Sequence, residues 1–334
     1  MSTGKLGSKS VYASPALGKT LPQVIQRITQ ADHPWLRMEL GTRGNGRNRR
    51  LTTIQAGPRL RQYLQGLTFA DFGCNGWEQT IILREARVDY WHRPKAIEYI
   101  DTSQTRTYRA EIAKINQHLQ AADIGLDPTL CPDLDPSDRR LRRIFNGSVD
   151  HGGRLGGGFW SNMDKTIRPN AITIDGRPIV TLDYGQAFAR IVYGFAGATP
   201  PPGDLYNIPD LEGCRDGVKL LFNALLFASK PLKRYPKDAK HEFPSQLKVD
   251  AAVALIERHH HQIAHLFRTK IGFKAMKIES DILVDVLITL GDLGICGLPL
   301  NDAVMVANHH QETARSVMIS RFLEHAGLEG VVGV

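Results

Sequence analysis

Along the chain, Tyr108, Ile112, Ile115 and Leu119 recur at intervals of three and four residues, which predicts a helix over 105–122 with one apolar face. A short helix is expected over 21–29, within an otherwise irregular first sixty residues. Two short apolar runs, 171–174 and 178–182, flank Asp175-Gly176, the sequence mark of a tight β-hairpin. The second run leads directly into Asp183. Helical patterning then covers 187–195, 211–229, 248–267 and 280–290. A second hairpin is predicted from 296–300 and 303–306, joined by Asn301-Asp302. A helix over 311–326 and a final apolar strand over 330–334 complete the pattern. Five of the seven residues 152–158 are glycine, which predicts either close backbone approach or a mobile loop.

The chain has 334 residues, and at roughly 100–200 residues per domain that suggests two domains or one domain with a large insertion. Hydrophobic residues make up 42% and charged residues 23%, so a sizeable core can form. No run approaches the ~20 apolar residues of a membrane span, and the first residues lack the apolar centre of a secretory signal. A soluble, cytoplasmic protein without a membrane partner is therefore expected. The cysteines Cys74, Cys131, Cys214 and Cys296 form no CxxC pair, which argues against a zinc ribbon or a disulfide framework. Trp35, Trp77, Trp91 and Trp160 read as core residues.

Charge is concentrated near the start. Residues 1–60 hold ten lysines and arginines against Asp32 and Glu39, so this segment carries the whole net charge of +8. Its densest part holds Arg43, Arg47, Arg49 and Arg50 among glycines and asparagines. It is either a solvated loop or a nucleic-acid contact. Two further basic runs carry the same pair of readings. One is Arg139, Arg140, Arg142 and Arg143, expected on a short helix capped by the acidic turns before it. The other is Lys230, Lys233, Arg234 and Lys237 with Tyr235 among them, a pattern that suits single-strand contact. His261 and His265 stand one helical turn apart without further ligands and read as an exposed helix face.

Asp183 at a strand end and Asp302 in a hairpin turn would both be held on rigid supports. Two such carboxylates are the minimum needed to hold a pair of divalent ions for in-line phosphoryl transfer. Singly, they also read as a helix cap and an ordinary turn aspartate.

The letters around them change the picture. The run from Asp183 to Arg190 resembles the first polymerase motif of the family A DNA polymerases, commonly DYSQIELR, with Asp183, Tyr184, Gln186 and Arg190 matching. Arg215 and Lys219 resemble the Arg and Lys of that family's second motif, and their spacing puts both on one helix face. Asn301-Asp302-Ala303 resembles its His-Asp-Glu hairpin, and Gly153-Arg154-Leu155 resembles a loop that touches the primer–template. The resemblance covers about residues 145–334. Four positions depart from it: Phe188 replaces the usual Glu, Asn223 stands where an aromatic is usual, and Asn301 and Ala303 replace His and Glu.

The resemblance implies a mixed α/β fold, with an antiparallel palm sheet and a small helical fingers insertion at about 200–280. Residues 61–144 would form a mostly helical, thumb-like region, and residues 1–60 a basic arm. It further implies a template-directed nucleotidyltransferase that extends a DNA primer with nucleoside triphosphates. Two Mg²⁺ ions, with Mn²⁺ as an alternative, would be held by Asp183 and Asp302. Lys219 would act in catalysis, and Arg215, Lys219, Phe188, Tyr184 and Asn223 would line the nucleotide site. Arg154, Arg43, Arg47, Arg49 and Arg50 would contact nucleic acid. A single-subunit RNA polymerase or primase, and an inactive nucleic-acid-binding protein on the same palm, are the alternatives.

Overall fold

The computed structural model describes residues 21–40, 53–66, 79–86, 94–132 and 134–334. Arg43, Arg47, Arg49, Arg50, Cys74, Trp77 and Trp91 lie outside the described residues. The chain divides into two compact units, 1–79 and 80–334.

In the first unit, helix α1 (Leu21–Thr29) precedes the antiparallel strands β1 (Leu36–Glu39) and β2 (Thr53–Ala56), followed by helix α2 (Pro58–Tyr63). Pro58 opens α2, where its missing N–H costs nothing. Trp35 is half-buried here, under the Arg59 guanidinium at 4.7 Å and beside the Tyr63 ring at 6.0 Å.

The second unit begins with strand β3 (Ile81–Arg84), helix α3 (Ser103–Ala121) and strands β4 (Ile124–Leu126), β5 (Leu141–Asn146) and β6 (Ser148–Gly157). The one-turn helix α4 (Arg168–Ala171) leads into strands β7 (Ile172–Ile174) and β8 (Arg177–Gly185) and helix α5 (Ala187–Phe195). Helices α6 (Arg215–Phe227), α7 (Val249–His259) and α8 (Ile271–Asp292) follow. Strands β9 (Leu298–Leu300) and β10 (Ala303–Ala307), helix α9 (Gln311–Ala326) and strand β11 (Val331–Gly333) complete it.

Two sheets organise these elements. One has the order β4-β7-β8-β10-β9, with β11 also on β8, and all its pairings are antiparallel. The other joins β3, β5 and β6, with β3 parallel to β5. The fold is therefore mixed α/β, as expected. Both hairpins form where the turn chemistry places them. Asp175 and Gly176 have φ of 52° and 67°, the paired positive values that a two-residue turn between twisted strands needs.

Other expectations are corrected. Residues 61–144 are not mostly helical: among those described, α2 and α3 are accompanied by β3, β4 and most of β5. The glycine run 152–158 is mostly strand, not a mobile loop. At Gly153 (φ +82°) a Cβ would stand 2.8 Å from the Phe145 ring, so close approach to β5 requires glycine there. Residues 141–143 are strand and not helix. Arg139 donates to the carbonyls of Ala122 and Ile124 at 2.7 and 3.0 Å. Arg143 is buried, so neither of these arginines faces a duplex. The helix expected from 280 begins at Ile271. Gly272 and two lysines mask its first turns in the sequence pattern, but Gly272 packs so closely on Phe227 that a Cβ would meet that ring at 2.9 Å.

The buried Arg143 joins four elements. Its Nε donates to the Gly153 carbonyl at 3.0 Å, its guanidinium pairs with Asp281 of α8 and with Glu111 of α3 at 3.4 Å, and it lies 4.4 Å from the Tyr108 ring. Ser280 of α8 donates to the same Gly153 carbonyl. Removing one member of a buried, hydrogen-bonded ion pair leaves uncompensated charge and costs several kcal/mol. Arg143→Met is therefore expected to lower unfolding stability by about 3 kcal/mol, measured by urea denaturation.

Candidate active site at the ends of β8 and β10

Asp183 sits near the end of β8 with a neighbour on each side: Ala303 of β10 and Gly333 of β11 are its pairing partners. Asp302 immediately precedes Ala303 in the β9–β10 turn. With strands about 4.8 Å apart, the two aspartate Cα atoms are roughly 6 Å from one another. The juxtaposition shows electrostatically. Partial burial and the Asp302 carboxylate push the Asp183 pKa above its usual value, while the Tyr184 N–H and Lys219 pull the other way. Lys219 is on the second turn of α6, exposed to solvent. The sheet and α6 thus bring Asp183, Asp302 and Lys219 together.

The turn explains the divergent letters around Asp302. Asn301 has φ +58°, a conformation that asparagine tolerates better than most residues. Ala303 is 6% exposed within the ladder, and a long carboxylate there would have to find room in the core.

The residues flanking Asp183 are occupied with holding it. Strand alternation turns Tyr184 to the opposite face, where it is buried against Phe322 of α9 and donates to the Met318 carbonyl at 2.7 Å. Its geometry is that of a packing residue, not of the nucleotide contact expected. Gln186, with φ +61°, precedes α5 and accepts the Leu205 N–H at 3.2 Å. Arg190 donates to the Glu329 carbonyl at 3.2 Å, tying α5 to the segment before β11. These three matched positions fasten the elements around Asp183.

On α6, Arg215 donates to Asp204 at 2.7 Å and Asp216 at 3.2 Å, and half its side chain is exposed. Asn223 is partly buried, and its Oδ1 has no hydrogen-bond partner among the described residues. The neighbouring Phe222 is fully buried among Tyr206, His260 and Phe267. Phe188 of α5 is half-buried, edge-on to Phe227, with the Arg154 guanidinium 5.8 Å from its centroid. His261 and His265 are exposed, as expected, but not on one helix face, because α7 ends at His259; His260 is buried and bonded to the Tyr193 hydroxyl at 2.9 Å.

Arg154, expected at nucleic acid, is held by a carboxylate that no sequence pattern singled out. Its Nε and a terminal nitrogen donate to Glu279 Oε2 at 3.0 and 2.7 Å. Glu279 is 4% exposed, and its other oxygen is buried without a partner among the described residues. Burial raises the Glu279 pKa to about 7; Arg154 opposes the shift, and Asp302 and Asp183 add to it. In the sequence it is one acid among several on α8, beside Asp281 and Asp285, and nothing in the pattern sets it apart.

The fit of the donors to divalent ions rests on one observation. Two carboxylates repel each other at the sheet end, a charge pattern that a cation relieves. No group of three or more His, Cys, Asp or Glu side chains converges on a metal-sized space among the described residues. This donor set suits Mg²⁺, which binds through one or two carboxylates and keeps waters and substrate phosphates as its remaining ligands.

No family model matches the chain, and no curated protein does. Among solved structures, the chain is similar to the POL domain of Pol1 from M. smegmatis in complex with DNA primer-template and dNTP. Sequence identity is 11% and the TM-score is 0.37, over 69% of this chain and 51% of that one. The chain thus spans about half the length of that structure. Among the described residues, no helix is long and apolar enough to cross a membrane.

Glu279 makes the site costly to fold at neutral pH. Its folded pKa, about 7, lies above the ordinary 4.5, so the folded chain holds the proton more tightly than the unfolded one. That contribution is fully present below about pH 4.5 and is lost as pH rises through about 7. Glu279→Gln can still accept from Arg154 without titrating. Denaturation from pH 4 to 8 is expected to show the wild type losing stability relative to this variant, by about 3 kcal/mol across the range.

Proposed function

We propose that this chain is a template-directed nucleotidyltransferase that extends a nucleic-acid 3′-hydroxyl with nucleoside triphosphates. The observation that carries the reading is the meeting of Asp183, on β8, with Asp302, in the turn that leads into the neighbouring β10, and the Lys219 charge that acts on Asp183 from α6. Two divalent ions held there, Mg²⁺ or Mn²⁺, would sharpen the attacking hydroxyl and neutralise the departing pyrophosphate. Asp183 and Asp302 hold their carboxylates on rigid supports, so little reorganisation is needed as charge develops. Lys219 meets the triphosphate as a solvated point charge and can deliver a proton to the pyrophosphate oxygen. Arg215 reaches the outer phosphate by exchanging its bonds to Asp204 and Asp216 for charge-assisted bonds to the ligand. Arg154 reaches a primer–template by leaving Glu279.

Phe188, packed between Phe227 and Arg154, is the ring placed to exclude a ribose 2′-hydroxyl. In this reading the partners are DNA primer–template and dNTPs. A single-subunit RNA polymerase or primase differs in taking ribonucleotides without a primer.

Primer extension with Mg²⁺ tests the assignment. Asp183→Ala and Asp302→Ala are each expected to lower the incorporation rate by about 10³-fold or more, and chelation of the metal to abolish it. Equal rates in all three proteins would refute the reading. Phe188→Ala is expected to narrow the preference for dNTP over rNTP by about tenfold in kcat/KM. Unchanged discrimination, with unprimed rNTP incorporation by the wild type, would favour the RNA polymerase or primase.

A further inference from the structure

Beyond α6 the chain builds a second charged feature. Two adjoining cavities, of about 850 and 490 Å³, share Leu232, Lys233, Arg234 and Tyr235 in their walls. Lys248 lines the first, and Lys230 and Lys237 line the second. Lys230, Lys233, Arg234 and Lys248 are exposed, and their side chains have no hydrogen bond or ion pair to any described residue. The acids nearby are Asp250, which caps the backbone of its own helix, and Asp238, 4.0 Å from Lys237. Lys248, Val249 and Asp250 at the start of α7 also line the first cavity, so unpaired N–H groups of that eleven-residue helix add positive potential.

The aromatic residue in this run does not face a ligand. The Tyr235 hydroxyl donates to the Leu247 carbonyl at 3.1 Å, and its ring packs 5.0 Å from the Phe243 ring and 5.0 Å from Lys240 Nζ. Lys240 in turn donates to the carbonyls of Ser245 and Leu247 at 3.0 and 3.1 Å. Tyr235 and Lys240 are spent on the cleft floor. What remains for a ligand is charge without a stacking surface.

We infer that this double cleft binds the phosphate backbone of an unpaired nucleic-acid strand, without stacking its bases. A single phosphate would engage one or two of the four free cations, whereas a linear polyanion can engage all of them. The four cations are spread along two adjoining cavities, an arrangement that suits a linear run of phosphates. From Lys219 to the end of α6 at Phe227 the helix advances roughly 12 Å, so the cleft opens past the far end of the helix that faces Asp183. Under the proposed function, which this identification of the strand rests on, the strand is the template ahead of the primer end.

Fluorescence anisotropy with the full chain tests the inference on three probes: a primer–template with a single-stranded 5′ tail, the same with an abasic tail, and a blunt duplex. The wild type is expected to bind both tailed probes about equally, and about tenfold tighter than the blunt one. Changing Lys230, Lys233, Arg234 and Lys248 together to Gln should erase that preference. It should also flatten the slope of log affinity against log salt by about 3, near 0.7 per lost phosphate contact. A milder pair, Lys233→Gln with Arg234→Gln, should give about half that change. No tail preference in the wild type, or its survival in the fourfold variant, would overturn the inference. So would a tail preference that vanishes with the abasic probe, which would mean base stacking, or competition by equimolar inorganic triphosphate, which would mean a nucleotide site. Asp183→Ala should keep the tail preference, so a failed polymerase assignment and a failed cleft assignment give different results.

Discussion

The buried guanidinium of Arg143 is the constraint on which the functional half of the fold depends. It comes from β5, but its partners are the Gly153 carbonyl of β6, Glu111 of α3 and Asp281 of α8. A charge so placed is tolerable only if every partner is in position, because the interior offers it no water. The arrangement therefore fixes how β6 lies along α8. Ser280 repeats the contact to Gly153, and the next residue on each element completes it as Arg154 with Glu279. Structural registration thus runs directly into the residues that face the two aspartates.

A second arrangement holds Asp183. Strand β8 is paired on both sides at this residue, so the carboxylate is presented from the middle of a sheet and not from a free edge. The neighbours that complete the motif act as fasteners. Tyr184 reaches under α9, Gln186 holds the segment at Leu205, and Arg190 holds the approach to β11. The site has an electrostatic cost. Asp183 and Asp302 repel, and Glu279 is buried with one oxygen unpaired among the described residues. A cation bound between the two aspartates would relieve that repulsion.

Much of the fold was legible in the sequence for local reasons. The helices Ala187–Phe195 and Gln311–Ala326 and both hairpins follow from periodicity and turn residues, which depend only on near neighbours. Elements governed by distant partners were not legible. The arginines at 139–143 read as an exposed helix because four cations in five residues suit a surface. The structure makes this stretch a turn and strand, with Arg143 inside, because its acidic partners arrive from α3 and α8. The glycines at 152–158 read as freedom, but at Gly153 they serve close approach. Tyr235 among lysines read as a stacking residue, but its ring and hydroxyl are both taken by the loop that follows. Glu279 carried no signal, since one acid among the several of α8 is ordinary until its burial is known.

The sequence by itself determined the order of elements from β7 onward, the two turns and the pair of aspartates beside β8 and β10. Those features are set by backbone preference and by side-chain alternation over a few residues. Only the tertiary structure decided that Asp302 stands beside the strand neighbour of Asp183, that Arg154 is tethered, and that four cations past α6 stand free around one cleft. Each of these depends on which residues far apart in the chain share a desolvated space. There a partner's distance and burial decide a charge's role, and periodicity carries no record of either.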